Sequence, residues 1–246
     1  MIHPTAPIYL LTAEVGHPFM QLVVRLVEEH NLRSVCDFGG GANPVLPSEE
    51  IARFGLRYLV VDVSAEELAK APPGYTTAAM DVTAAAAADL PGAPFDLVIS
   101  RFVAEHVEDP AAFHVAVWHA LRSGGFAAHF FPTLPSPPYV ANRLLMGRGS
   151  RRLVDILQPG SRSSDERLGK FRAYYRWCEG PTRRQYRRYA SLGFEVVHYV
   201  VLVGHRYYER FPTLQRAADA LSRQAIRLRR PALATYACVV LRRPPS

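Results

Sequence analysis

Ser34-Val35-Cys36-Asp37-Phe38-Gly39-Gly40-Gly41-Ala42-Asn43-Pro44 is a short apolar run that stops at three consecutive glycines. Glycines directly after a strand let the backbone turn tightly and come close to a ligand. Gly39 and Gly41 match the first two positions of the dinucleotide pattern G-x-G-x-x-G, but Pro44 occupies the third. The loop by itself therefore marks a ligand-binding turn without naming the ligand.

Outward from this loop the same rhythm recurs. Apolar runs at Tyr58–Val61, Thr76–Met80, Phe95–Ser100 and Phe126–Phe131 read as strands. Helix-like segments lie between them at Ser48–Phe54, Ala65–Lys70, Ala84–Ala88 and Pro110–Leu121. A first helix fits between His17 and His30, where Phe19, Leu22, Val23, Leu26 and Val27 form one stripe. Strands alternating with helices predict βαβ units and a parallel sheet covered on both faces. After residue 180 a helix fits Thr182–Leu192, a strand Phe194–Val203, a helix Thr213–Arg229 and a last strand Thr235–Leu241. The expected architecture is α/β and Rossmann-like. Seven strands form a mostly parallel sheet, with the last strand antiparallel, and the switch point lies beside Gly39–Gly41.

The strand ends carry acids. Asp62 closes the second run, 21 residues after Gly41, where a carboxylate can accept both hydroxyls of a ribose. Asp81 closes the third, on the same rim. A glycine loop and two such acids in register predict a nucleoside pocket.

Composition narrows the class. The 246 residues are 49% hydrophobic and 21% charged, which excludes wholesale disorder and disulfide-dense miniproteins. Cys36, Cys178 and Cys238 are too scattered for a disulfide framework or a zinc site. No signal peptide or membrane span is read from the sequence, so a soluble cytoplasmic protein is expected. Residues 1–140 hold 7 basic and 15 acidic groups, net −8, and residues 141–246 hold 22 and 7, net +15. The two halves should do different work. Three regions follow: a cofactor-binding core at 1–131, a substrate-covering insertion at 132–180, and a completion of the core sheet at 181–246.

The fourth run and its sequel, from Phe95 through Ser100, Glu105 and His106 to Pro110, resemble the corresponding segment of class I S-adenosylmethionine-dependent methyltransferases. Leu121-Arg122-Ser123-Gly124-Gly125 resembles their turn into the fifth strand. Asp37–Gly41, Asp62, Asp81-Val82 and Ser100 match the family's cofactor motifs in order. The resemblance implies S-adenosylmethionine as cofactor and S-adenosylhomocysteine as product. It puts Gly39 and Gly41 against the methionine part near Asp37, Asp62 and its neighbour Val63 at the ribose, Asp81 at the adenine amino group, the Val82 amide at a ring nitrogen, and Ser100 near the methionine end. Asn43 stands where glycine is common. Asn tolerates left-handed backbone and can cap a helix before Pro44.

Methyl transfer from a sulfonium is an in-line displacement, so alignment accounts for much of the rate and a base is optional. His106 and His205, both at the rim, are the candidate bases. His114 and His119 read as structural, and His129 as a core or strand-face residue. No acid accompanies Glu105-His106 at positions 102 or 103, so no metal site is expected. In the insertion Tyr139 and Arg143, and then Tyr174, Tyr175, Arg176 and Trp177, either build an acceptor pocket or anchor the insertion on the sheet.

The leading expectation is an enzyme acting on a small or medium-sized metabolite held under a lid, an anionic acceptor being one option. The runner-up is nucleic-acid methylation through Arg183, Arg184, Arg187 and Arg188 on one helix and Arg216, Arg223, Arg227 and Arg230 on another. A binding or regulatory protein with a retained fold comes third.

Overall fold

The computed structural model describes residues 6–12, 18–84, 89–133, 172–205, 210–229 and 233–246. The expected segment 85–88 and most of the insertion, with Tyr139 and Arg143, lie outside the described residues.

The chain runs β1 (Ile8–Leu11), α1 (Pro18–Glu29), β2 (Ser34–Phe38), α2 (Ser48–Phe54), β3 (Arg57–Asp62), α3 (Ala65–Leu68), β4 (Thr76–Ala79), β5 (Phe95–Arg101), a 3-10 turn (Ala104–His106), α4 (Pro110–Ala120) and β6 (Leu121–Pro132). It then continues with α5 (Arg183–Ser191), β7 (Glu195–Val203), α6 (Pro212–Arg227) and β8 (Ala234–Arg242). All eight strands join one sheet in the order β1-β7-β8-β6-β5-β2-β3-β4. β2 pairs in parallel with both β3 and β5, so the chain order reverses there and a crevice opens beside the glycine turn. β8 is antiparallel to β6 and to β7.

One strand more than the expected seven is present. β1 pairs in parallel with β7, Ile8 opposite Val200 and Leu11 opposite Val203. Four residues, of which only Leu11 is buried, are too short and too exposed for a periodic signal. The fifth predicted run also reaches further than expected. β6 includes Pro132, and Thr133 donates its N–H to the Thr235 carbonyl at 3.0 Å, so the sheet continues past residue 131.

Local chemistry explains the boundaries. All five residues of β2 are buried, as a strand covered on both faces requires. Asp109 caps α4 by accepting from Ala111 and Ala112 at 3.0 Å each, with Pro110 at the first helical position. Thr182 caps α5 through the Gln185 N–H. The apolar core forms two layers, one on each face of the sheet. Phe19, Val23, Leu26 and Val27 of α1 cover one face, and Phe113 and Val117 of α4 with Tyr189 of α5 cover the other.

Candidate active site

At the C-terminal rim of β2 the backbone is left-handed at Gly39 (φ +71°) and Gly41 (φ +43°). Side chains have grown into the space that a Cβ would need. One on Gly39 would collide with Val103, and one on Gly41 would stand 2.9 Å from Asp62 Oδ2. Gly40, not singled out by the sequence reading, is equally constrained. A Cβ there would lie 2.7 Å from Val60 and 2.9 Å from Asp37 Oδ2. The turn thus packs its own backbone against the carboxylate that ends β3. Asn43 departs from expectation. It neither takes a left-handed backbone nor caps a helix, since α2 starts only at Ser48. Its N–H instead closes the turn on the Gly40 carbonyl at 2.8 Å, and Arg101 donates to its carbonyl at 2.9 Å.

The acids divide into one beneath the turn and two on the rim. Asp37 is fully buried, and its Oδ2 accepts from the Val45 N–H at 2.8 Å and the Tyr58 hydroxyl at 2.6 Å. Burial raises its pKa to about 6 against the opposing pull of those two hydrogen bonds. With no exposed surface Asp37 braces the turn from below rather than lining it. Tyr58 and Val45, its partners, carried no signal in the sequence beyond being apolar or aromatic.

Asp62 is half-buried and accepts from the Ser64 N–H at 2.8 Å through Oδ1. Burial also moves its pKa up, with the Ser64 N–H opposing. Val63 beside it is 60% exposed, an apolar surface at the mouth of the crevice. Asp81 is exposed, its Oδ1 accepting from the Thr83 N–H and hydroxyl at 2.9 and 2.7 Å, while Val82 is half-buried. Ser100 lies beneath the surface, 1% exposed, and shares a 2.8 Å hydrogen bond with His129 Nδ1.

The two candidate bases are apart. His106 closes the 3-10 turn after β5, half-buried, and its Nδ1–H donates to the Arg172 carbonyl at 3.2 Å. His205 follows β7, which lies three strand positions from β5, or about 14 Å along the rim. Burial lowers the His205 pKa, partly offset by Asp219. His114 and His129 are buried and packed ring against ring at 5.3 Å. Burial brings the His114 pKa down to about 4 and lowers that of His129 as well. Both are core residues, and burial favours their neutral forms.

The returning segment from Arg172 clamps the 3-10 turn. Tyr174 and Tyr175 both donate their N–H to the Glu105 carbonyl, at 2.7 and 3.0 Å, and Arg176 donates to the Glu108 carbonyl at 2.6 Å. Trp177 stacks on His114 at 5.6 Å, with the Arg188 guanidinium over the Trp177 ring at 5.2 Å. Of the two sequence readings for these residues, anchoring describes the contacts of Arg176 and Trp177. Tyr174 to Trp177, with Glu108, Asp109 and Arg188, also border an open groove of about 720 Å³ beside the start of α4. Among the described residues no group of three or more His, Cys, Asp or Glu side chains could hold a metal. No described helix is long and apolar enough to cross a membrane.

The glycine cradle, the half-buried Asp62 and the exposed Asp81 and Val63 suit a nucleoside carrying a flexible charged tail. The groups that would touch it sit on three adjacent strand ends, and the space between Gly41 and Asp62 admits nothing bulkier than a hydrogen. Comparison with known proteins agrees. Residues 36–129 match the family described as "Methyltransferase domain". No curated protein sequence matches the chain. Among solved structures, an S-adenosylmethionine-dependent methyltransferase from Mesorhizobium loti is 20% identical, with 91% of this chain and 100% of that chain covered and a TM-score of 0.53. One from Archaeoglobus fulgidus is 13% identical, covering 91% and 94% at 0.53. Geranyl diphosphate C-methyltransferase from Streptomyces coelicolor A3(2) is 15% identical, covering 92% and 81%, also at 0.53. These likenesses concern the fold. With the family match across β2 to β6 and the expected cofactor residues in order along one rim, residues 36–129 carry a methyltransferase domain, and the chain has the fold of S-adenosylmethionine-dependent methyltransferases.

Proposed function

We propose that this methyltransferase acts on a small or medium-sized metabolite, at oxygen, nitrogen or carbon, chiefly by aligning donor and acceptor. Bound S-adenosylmethionine supplies a methyl group on a sulfonium, already a strong electrophile. The chain's own residues hold and orient. Gly39 to Gly41 let the backbone approach the methionine part, and Asp37 keeps that turn in shape from beneath. Asp62 accepts the ribose hydroxyls, with its neighbour Val63 beside them. Asp81 and the Val82 N–H recognise the adenine edge, and the Ser100 backbone borders the methionine end. His106 orients the acceptor, or takes its proton where the acceptor is oxygen or nitrogen. A neutral imidazole whose Nδ1–H is held by a carbonyl presents Nε2 as the acceptor nitrogen. His205, on the same rim but farther from β5, is the second candidate.

The observation that carries this reading is the fit of Gly41 to Asp62, a cradle with a carboxylate at its lip. Asp62→Ala should weaken S-adenosylmethionine binding about ten- to a hundredfold, the equivalent of roughly 1–3 kcal/mol. Calorimetric titration of the wild type and the variant decides it. An unchanged affinity would reject the assigned pocket.

A further inference from the structure

The residue after β5 is the feature least accounted for by packing. Phe102 has a left-handed backbone, φ +58°, and its side chain is 46% exposed. A bulky side chain in that conformation is strained, and a half-exposed ring returns little of that strain by burial. The surroundings hold the residue there. Its N–H donates to the Phe130 carbonyl at 2.9 Å, and the next residue, Val103, packs over Gly39. Phe102 is therefore fixed one residue from the turn proposed to cradle the methyl donor.

Its neighbours are rings. Phe19, Phe130 and Tyr236 stack in sequence, at 5.7 Å and 23° and then at 5.5 Å and 22°. Phe102 stands edge-on to the last two, at 5.1 and 6.0 Å and 66° to each. Four elements contribute: α1, β6, β8 and the segment after β5. The rim ends of β5, β6 and β8 are adjacent, so this aromatic corner lies on the β6 side of the crevice, across from Asp62 and Asp81 on β3 and β4. A donor lying along the glycine turn would have its nucleoside on one side and this corner on the other.

Among the described residues, the charges nearby are turned elsewhere. Arg101 is directed to the Asn43 carbonyl, and Arg176 to Glu108. The carboxylate of Glu105 is buried. An exposed, strained ring with an aromatic bed beneath it recognises another flat ring, by offset or edge-to-face stacking.

We propose that Phe102, set on the Phe130–Tyr236 stack, is the platform on which the acceptor lies, and that the acceptor is an uncharged planar aromatic ring carrying the group to be methylated. The proposal rests on the methyl-donor site described above. The test keeps the two separate. S-adenosylhomocysteine is first titrated into the full chain by calorimetry. Absence of binding overturns the donor site and this platform with it. With S-adenosylhomocysteine saturating, 2-naphthol, its saturated counterpart decahydro-2-naphthol and choline are then titrated. The ring should bind roughly tenfold tighter than either of the others, and Phe102→Leu should reduce that binding roughly fivefold or more. Phe102→Tyr should retain it, and S-adenosylhomocysteine affinity should be the same in all three proteins. Equal binding of the saturated alcohol, tighter binding of choline, no binding of 2-naphthol, or indifference to Phe102→Leu would overturn the platform while leaving the donor site standing. Should Phe102→Leu fail to fold, the wild-type preference for the ring over its saturated counterpart decides alone.

Discussion

The acidic rim of β3 and β4 and the arginine-rich stretch from Arg172 to Ser191 are both clusters of charge, yet they are built in opposite ways. On the rim, short carboxylates sit at strand ends, and sheet register sets where they stand. Asp62 lies opposite Ala79 in the parallel β3–β4 pair, and Gly41 closes against it. In the arginine-rich stretch, long side chains find partners within reach. Arg188 donates to Glu179 and Gln185 at 3.0 Å each, Arg184 lies 3.7 Å from Glu179, and Arg172 and Arg176 both lie over the Tyr174 ring. Position in the topology thus says more about a charge's task than the density of charges around it.

The sharpest way to break the contrast is to spoil the rim without removing an acid. Gly41→Ala places a methyl group against Asp62 Oδ2 and forces a left-handed alanine. Cofactor affinity should fall roughly a hundredfold or more, about 3 kcal/mol, more than Asp62→Ala itself. Isothermal titration compares the two, and a Gly41→Ala protein that binds like the wild type would show that the turn is not a cradle.

A middle-sized effect is expected at the seam between the two regions. Glu105 is buried, its Oε2 has no hydrogen-bond partner, and burial raises its pKa from 4.5 to about 8. A carboxyl raised on folding contributes stability that is complete below its unfolded pKa and is lost as pH rises through the folded one. Asp37 acts with the same sign, but only up to about pH 6, and the lowered His114 and His129 act oppositely, below pH 6.5. The interval from 6.5 to 8 therefore belongs to Glu105. Unfolding free energy should drop across it by about 2 kcal/mol, and Glu105→Gln should flatten that slope. Urea unfolding at a series of pH values measures it, and parallel slopes in the two proteins would contradict the assignment.

The smallest effect separates arginines within one helix. Arg188→Ala removes the contacts to Glu179, Gln185 and Trp177 and should cost about 1–2 kcal/mol. Arg187→Ala, on the exposed face, should stay within about 0.5 kcal/mol. Similar losses at both positions would mean that the cluster acts as one surface after all.

The order of strands and helices was legible because buried strands and amphipathic helices repeat with different periods. Of the stripe read as Phe19, Leu22, Val23, Leu26 and Val27, all are buried except Leu22, which is partly exposed. β1 escaped because four residues pairing along a single edge need no apolar alternation. The glycines and Asp62 were legible because backbone geometry restricts which residues can stand there. Gly40 was given no site role because its constraint is set by the fold: a Cβ there would meet Val60, twenty residues away in sequence, and the carboxylate that Asp37 turns under the loop. Phe102 gave no sign either. Backbone strain and ring stacking are properties of the folded chain, and a Phe after a strand is ordinary composition.

The placement of β8 between β6 and β7 also has a consequence for how the chain matures. Strands β2 to β5 pair only within the set β2 to β6, and β6 alone reaches beyond it, to β8, so that half can assemble while later residues are still being synthesised. β7 meets the rest of the sheet only through β8, and β1 only through β7. Residues 8–11 therefore join an edge that is anchored to the sheet only once residues 234–242 are in place, and their own pairing, Ile8 with Val200, spans the longest sequence separation in the described sheet and carries the greatest loop-closure cost. In a growing polypeptide β1, made before the other described strands, is the last of them to find its place.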